Sequence, residues 1–189
     1  MKLKTGNLYK EDWLKLSKTI ADLSTSLFFI DDNPMLSIED IRTKVKKVIF
    51  EQNNLGLIII DYLQLMHYTK FKIENRAQEL SKITRSLKNL AKEFNIPLIA
   101  LSQLNRNVET RLNKRPILSD LRESGSIEQD ADVVLLLYKN NESELSKKTQ
   151  KQLTELIIAK QRNGPTGTIQ LYFNPKYTKF SNINEFAQN

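Results

Sequence analysis

Apolar residues recur along this chain at two spacings, and the alternation between them divides it into helical and extended stretches. From Glu11 to Ser24 the positions Trp13, Leu14, Leu16, Ile20, Ala21 and Leu23 keep helical spacing, and Leu27 to Ile30 then reads as a short buried strand. That run ends in Asp31 and Asp32, but Asn33-Pro34 follows at once, so the two acids read as turn formers. Ser37 with Asp40 three residues later resembles a capping box, and Ile38, Ile41, Val45, Val48 and Ile49 extend a helix through about Gln52. After the Asn53-Asn54 turn signal, Leu57 to Ile60 are uninterrupted large apolar residues, mostly β-branched, that run straight into Asp61. This is the pattern of a strand buried on both faces of a parallel sheet.

His67 to Lys72 is polar and basic and reads as a loop. Ala77, Leu80, Ile83, Leu87, Leu90, Ala91 and Phe94 then predict a long amphipathic helix from about Glu74 to Asn95. Leu98 to Ser102 is a second buried strand, ending in Gln103. A β-α-β unit with a right-handed crossover would bring Asp61 and Gln103 to the same edge of one sheet. Between Leu104 and Gln129 the pattern breaks up around Arg106, Arg111, Lys114, Arg115 and Arg122, and loops of that length in compact domains are usually functional or disordered. Ala131 to Tyr138 is another strand, Lys139 to Gln152 a polar excursion, and Leu153 to Lys160 with Thr168 to Asn174 a hairpin around Asn163 to Gly167. The tail from Pro175 onward carries little signal.

Composition narrows the class. The 189 residues contain no Pro/Gly/Ser-rich linker, so a single domain over 1–189 is expected. Hydrophobic content of 40% and charged content of 27% are those of an ordinary globular protein, and no apolar run approaches the length of a bilayer span. Without cysteine there is no disulfide framework and no thiolate metal site, and the amino terminus lacks the apolar core of a signal peptide. His67, the only histidine, cannot build a histidine-based metal site. A reducing compartment without membrane attachment fits best. The formal charge of +7 favours a polyanionic partner such as nucleic acid.

Three strand ends carry groups suited to phosphate chemistry. A carboxylate at Asp61 suits a hard cation such as Mg²⁺, directly or through its waters. Gln103 can sense a phosphate or a water through neutral hydrogen bonds, and arginine, as at Arg162 beside Lys160, stabilises developing phosphoryl charge. Each group also has an ordinary reading on its own: Asp61 as a turn or helix-cap residue, Gln103 as a strand cap, Lys160 and Arg162 as edge-strand charges, Arg122 with Glu123 as a surface ion pair.

Taken together, Ile59 to Met66 (IIDYLQLM), Leu101 to Arg106 (LSQLNR), Asp120 to Asp132 (DLRESGSIEQDAD) and Lys160 to Gly167 (KQRNGPTG) resemble the DnaB-type replicative DNA helicase, and the likeness covers nearly the whole chain. The resemblance implies an α/β fold: a RecA-like P-loop ATPase core, a mostly parallel sheet flanked by helices with a carboxyl-terminal β-hairpin, incomplete at the amino-terminal end. It implies a hexameric ring that couples ATP hydrolysis to translocation on single-stranded DNA, with primase and a helicase loader as further partners. By resemblance Asp61 is the Walker B residue that organises Mg²⁺, and Gln103 links the γ-phosphate to the DNA loops. Lys160 and Arg162 reach the neighbouring subunit's ATP, Arg162 as arginine finger. Arg122, Glu123 and Gly125 hold the DNA backbone, with Arg115 as a further phosphate contact.

One departure is large. A P-loop needs G-x-x-x-x-G-K-[ST], and the five glycines, Gly6, Gly56, Gly125, Gly164 and Gly167, never precede a lysine. Activity is therefore expected only with an upstream half that supplies the P-loop, and this chain alone should expose unpaired strand edges and apolar surface. The alternative is a non-catalytic fragment that binds single-stranded DNA or docks on an intact helicase. The abundance of Lys, Asn and Ile hints at an AT-rich genome, bacterial or plastid, hence bacterial cytoplasm or plastid stroma.

Overall fold

The computed structural model describes residues 2–68, 75–121, 125–139 and 152–183. A single turn, α1 (Lys2–Thr5), precedes α2 (Lys10–Ser24) and α3 (Ile38–Gln52), and a short strand β1 (Ile58–Ile60) leads through a 3-10 turn at Leu63–Leu65 toward α4 (Arg76–Phe94). After β2 (Leu98–Ala100) the chain makes two further 3-10 turns and the short helix α5 (Gly125–Asp130). It ends in β3 (Val133–Lys139), β4 (Gln152–Gln161), β5 (Gly167–Asn174) and β6 (Lys179–Asn182).

The helix boundaries follow from local chemistry. Ser37 Oγ accepts from the Asp40 N–H at 3.2 Å while Asp40 Oδ2 accepts from the Ser37 N–H at 3.0 Å, the reciprocal capping box expected at the start of α3. The Ser37 hydroxyl, which donates to Asp40 Oδ2 at 2.6 Å, and then the Ser37 N–H hold the Asp40 carboxyl below its ordinary range. Asn53 and Asn95 end α3 and α4 in the left-handed region, with φ of 59° and 53°, where asparagine is tolerated better than most residues.

Two sheets share one core. β1 and β2 pair in parallel with Ile58 opposite Leu98 and Ile60 opposite Ala100, and β3-β4-β5-β6 form an antiparallel sheet in that order. Parallel pairing is thus confined to one pair among the described strands. The short turns joining β4 to β5 and β5 to β6 allow only antiparallel neighbours. Leu80, Ile83, Leu87 and Leu90 of α4 are buried against Ile38, Ile41 and Val45 of α3, Val134 and Leu136 of β3 and Ile157 of β4.

Several expectations need correcting. Helices cover only one face of the strands. Ile58, Ile60 and Leu98 pack on the core, whereas Ile59, Ile99, Leu101, Val133, Leu135 and Leu137 turn away from it and stay 46–57% exposed. The burial on both faces read from the sequence is absent because no described residue covers the second face. Leu27 to Ile30 is not a strand: no described strand lies beside it to complete a ladder, and all four residues are exposed. Helix α2 forms where expected but contains no buried residue. Strand β6 lies in the tail where the sequence carries little signal. The exposed apolar surface expected of this chain is present. Among the described residues no helix is long and apolar enough to cross a membrane.

Candidate functional site

The β1–β2 ladder fixes where Asp61 and Gln103 emerge. The Leu101 N–H donates to the Ile60 carbonyl at 2.9 Å and the Leu63 N–H to the Leu101 carbonyl at 2.9 Å, so pairing continues past the strands proper to their carboxyl ends. Asp61 and Gln103 leave this end together, as the β-α-β reading required. Both are exposed, and neither side chain bonds to any described residue. Open α/β sheets bind ligands outside the carboxyl ends of parallel strands, so these are free polar groups in the place where such sheets do chemistry.

Lys160 and Arg162 meet at a different place, the carboxyl end of α5. Lys160 Nζ donates to the carbonyls of Glu128 and Gln129 and, at 2.8 Å, of Ala131. Arg162 Nη2 donates to the Gln129 carbonyl at 2.6 Å, and its backbone N–H donates to the Asp132 carbonyl at 2.9 Å. The last carbonyls of a helix lack partners within it and carry partial negative charge, so two cations seated there satisfy both demands. Two further contacts fix the seat to α4. Thr84 Oγ1 donates to Asp130 at 2.6 Å, and Lys88 pairs with Asp132. The Lys88 ammonium holds the Asp132 carboxyl below its ordinary value of 3.8, with Arg162 Nη1 adding a contact at 3.7 Å.

The sequence-predicted residues therefore gather in two groups. Asp61 stands with Gln103, and Lys160 stands with Arg162 on the helix that Gly125 begins. No hydrogen bond or ion pair among the described residues joins the groups. Gly125 has open space where a Cβ would stand, so packing within this chain does not demand glycine. Arg122 and Glu123 lie outside the described residues. Arg115 is committed elsewhere: its Nε donates to Glu155 at 3.0 Å and its Nη2 to Thr168 Oγ1 at 2.8 Å, pinning the preceding loop to β4 and β5.

Sequence reasoning misses two ordering groups. Arg111, in sequence one of many basic loop residues, pairs with the buried Asp120 at 2.5 Å, and Asp120 also accepts from the Ile117 N–H at 2.8 Å. These bonds give the described part of the 104–129 stretch a fixed shape. Gln64 lies inside the IIDYLQLM motif and bonds across to the Gln103 segment, a role its position beside Asp61 could have suggested.

Among the described residues no group of three or more His, Cys, Asp or Glu could hold a metal ion. A divalent cation here would be held by Asp61 together with water and ligand oxygens. That is the usual habit of Mg²⁺ on phosphate substrates.

Comparison with known proteins shows the family. The family model described as the DnaB-like helicase C terminal domain matches residues 1–182. A "Probable replicative DNA helicase" from Trieres chinensis is 64% identical over 182 residues, covering 95% of this chain and 40% of the relative. Replicative DNA helicase DnaC of Bacillus subtilis is 50% identical over 182 residues, covering 96% of this chain and 39% of the relative. The chain thus spans about two fifths of the curated relatives it matches. Among solved structures, one described as an ATPase domain superimposes with a TM-score of 0.83 at 42% identity, covering 96% of this chain and 64% of that one. A DnaB-like replicative helicase, solved in a study of its interactions with primase, gives 0.81 at 41% identity, covering 94% of this chain and 42% of that one.

Proposed function

The chain belongs to the DnaB-like helicase C-terminal domain family, and from that membership we propose that it is the carboxyl-terminal part of the ATPase of a replicative DNA helicase. Such a motor hydrolyses ATP to move along single-stranded DNA and part the duplex. The observation that carries the reading is the pair Asp61 and Gln103, side by side at the carboxyl ends of two parallel strands with both side chains free among the described residues. Each is the residue type that ATP hydrolysis asks for at that place.

In this reading the Asp61 carboxylate would hold Mg²⁺, directly or through water, and the ion would neutralise part of the charge on the phosphates of ATP. Gln103 offers its carboxamide to the γ-phosphate and relays the nucleotide state to the loop that follows it. Arg162, with Lys160, leaves the α5 carbonyls to face a nucleotide bound by the next subunit of a hexameric ring. Arginine in that position stabilises transition-state charge. Arg122, Glu123 and Gly125 contact the DNA backbone, a sequence-independent mode that suits a motor. Arg115, held by Glu155 and Thr168, is left out of that set. Primase and a helicase loader are the further partners of this reading, in a bacterial cytoplasm or a plastid stroma.

The phosphate-cradling G-x-x-x-x-G-K-[ST] loop does not occur in residues 1–189. In this reading a segment that carries that loop, on the same chain or supplied in trans as a P-loop half, completes the ATPase by covering the bare apolar face of β1, β2 and β3. The test is DNA-stimulated ATP hydrolysis by this chain alone and mixed with a P-loop half, with Asp61→Asn as control. Hydrolysis only in the mixture, lost in Asp61→Asn, is the expected result. Silence in both, with the halves associated and folded, replaces this reading with a non-catalytic DNA-binding or helicase-docking module.

A further inference from the structure

One side chain spans the carboxyl ends of β1 and β2. Gln64 lies in the Leu63–Leu65 turn, three residues past Asp61. Its Nε2 donates to Ser102 Oγ at 3.0 Å and its Oε1 accepts from the backbone N–H of Gln103 at 3.4 Å. Both ends of the carboxamide are thus used across a gap of 38 and 39 residues in sequence. The main chain of Gln64 is fixed from the opposite side. Arg76, the first residue of α4, donates through Nη2 to the Gln64 carbonyl at 2.9 Å and to the Met66 carbonyl at 3.1 Å. Its Nη1 bonds Glu79 at 2.5 Å, and Glu79 accepts from the Tyr68 N–H at 2.8 Å. The flanking Leu63 and Met66 are buried at 2% and 3% exposure, so the turn that presents Gln64 cannot swing freely.

We propose that Gln64 is a positioning residue that straps the Asp61 segment to the Gln103 segment, fixing the backbone from which the Gln103 carboxamide reaches the nucleotide. This rests on the reading of Asp61 and Gln103 as nucleotide-site groups. The physical case is the contrast between the two glutamines. Gln103 is exposed and its carboxamide bonds to no described residue, so among the described residues only the backbone that carries it orients its side chain. Gln64 is partly buried and supplies a bond to that backbone. A side chain that must respond to a phosphate gains from a backbone that does not, because orientation lost at the reacting centre raises the barrier.

Two measurements test the strap. In this chain alone, Gln64→Leu should speed exchange of the Gln103 amide by about tenfold, the loss of one hydrogen bond, while amides of the α4 core stay protected. Unchanged exchange at Gln103 overturns the strap whatever the enzyme does. In the mixture with the P-loop half, Gln64→Leu should lower DNA-stimulated kcat by about tenfold with the KM for ATP within about twofold. Ser102→Ala should show a smaller loss in the same direction, Ser102→Thr should restore it, and the Gln64→Leu/Ser102→Ala pair should be no worse than Gln64→Leu alone. A kcat that does not move, or a rise in KM alone, overturns the positioning role. If the unsubstituted mixture does not hydrolyse ATP but the Gln103 amide responds, the strap stands and the helicase reading falls.

Discussion

Leu80 and Leu135 are the same side chain in two regions of one molecule. Leu80, on the inner face of α4, is fully buried among α3, β3 and β4, whereas Leu135, in the middle of β3, is 53% exposed on the opposite face of its strand. The difference between them is the cover, since both runs are apolar in sequence. The helix-covered half of the molecule completes its own core. Elsewhere, α2, the Leu27 to Ile30 run and the outer faces of β1, β2 and β3 each leave large apolar side chains exposed. Packing among the described residues explains the first region; for the second, the proposed reading is a contact surface.

The sharpest way to break the comparison is to empty one residue from the covered side. Leu80→Ala removes a fully buried side chain whose neighbours are themselves buried, and should cost about 2–5 kcal/mol of unfolding free energy. Urea unfolding of the chain measures it. A cost below about 1 kcal/mol would mean that α4 is not packed as described.

A smaller loss is expected where the covered half meets the 104–121 stretch. Asp120 is buried at 8% exposure, pairs with Arg111 and accepts from the Ile117 N–H. Asp120→Asn weakens both contacts and should cost about 1–3 kcal/mol. The loss should fall on this segment first, seen as faster exchange of the Asn105 amide, which donates to the Asp120 carbonyl at 2.7 Å.

What the sequence discloses and what it does not follow the same division. The periodicity of α4, the capping box of α3, and the emergence of Asp61 and Gln103 at one edge are readable because each is local or follows from a single β-α-β rule. The hairpin of β4 and β5 is readable from the Asn163 to Gly167 turn. Burial is not readable, since a run such as Leu57 to Ile60 looks the same whether one or both faces are covered. Leu27 to Ile30 has the composition of a strand without being one for the same reason: a strand is made by its neighbour, and no propensity of these residues can supply one. The seat of Lys160 and Arg162 on α5, and the Arg111–Asp120 pair, join residues that no spacing rule relates. The family pattern brings forward the candidate site residues but not these contacts.

Acid offers a third, weaker probe, aimed at the seat where the end of α5 is tied to α4. Asp132 has a folded-state pKa below its ordinary 3.8 because Lys88 hydrogen-bonds its carboxylate. A lowered pKa means stabilisation that is complete above about 3.8 and disappears as the pH falls through the folded value. The side chain is 54% exposed, so the contribution is at most about 1 kcal/mol. Unfolding free energy against pH for the wild type and Asp132→Asn should therefore run parallel at neutral pH, with the wild type higher, and converge in acid. Curves that stay parallel into acid would remove the Lys88–Asp132 pair from the stability of the seat.

The smallest effect on the chain itself is the most informative about the bare face. Leu135→Thr, Ile99→Thr and Ile59→Thr place a β-branched residue suited to a strand at each position and remove apolar surface that is more than half exposed. Each should change unfolding free energy by no more than about 0.5 kcal/mol, against several for Leu80→Ala. Binding of an apolar dye should fall in the triple variant, because the surface that attracts it has been made polar. Association with a P-loop half should fall as well, since the same residues would form its seat. A triple variant that unfolds readily would show that these side chains are buried in this chain after all, and that the two regions are one. A variant that stays folded and still binds the P-loop half would move the contact surface away from these three positions, to other exposed apolar stretches such as α2 and the Leu27 to Ile30 run.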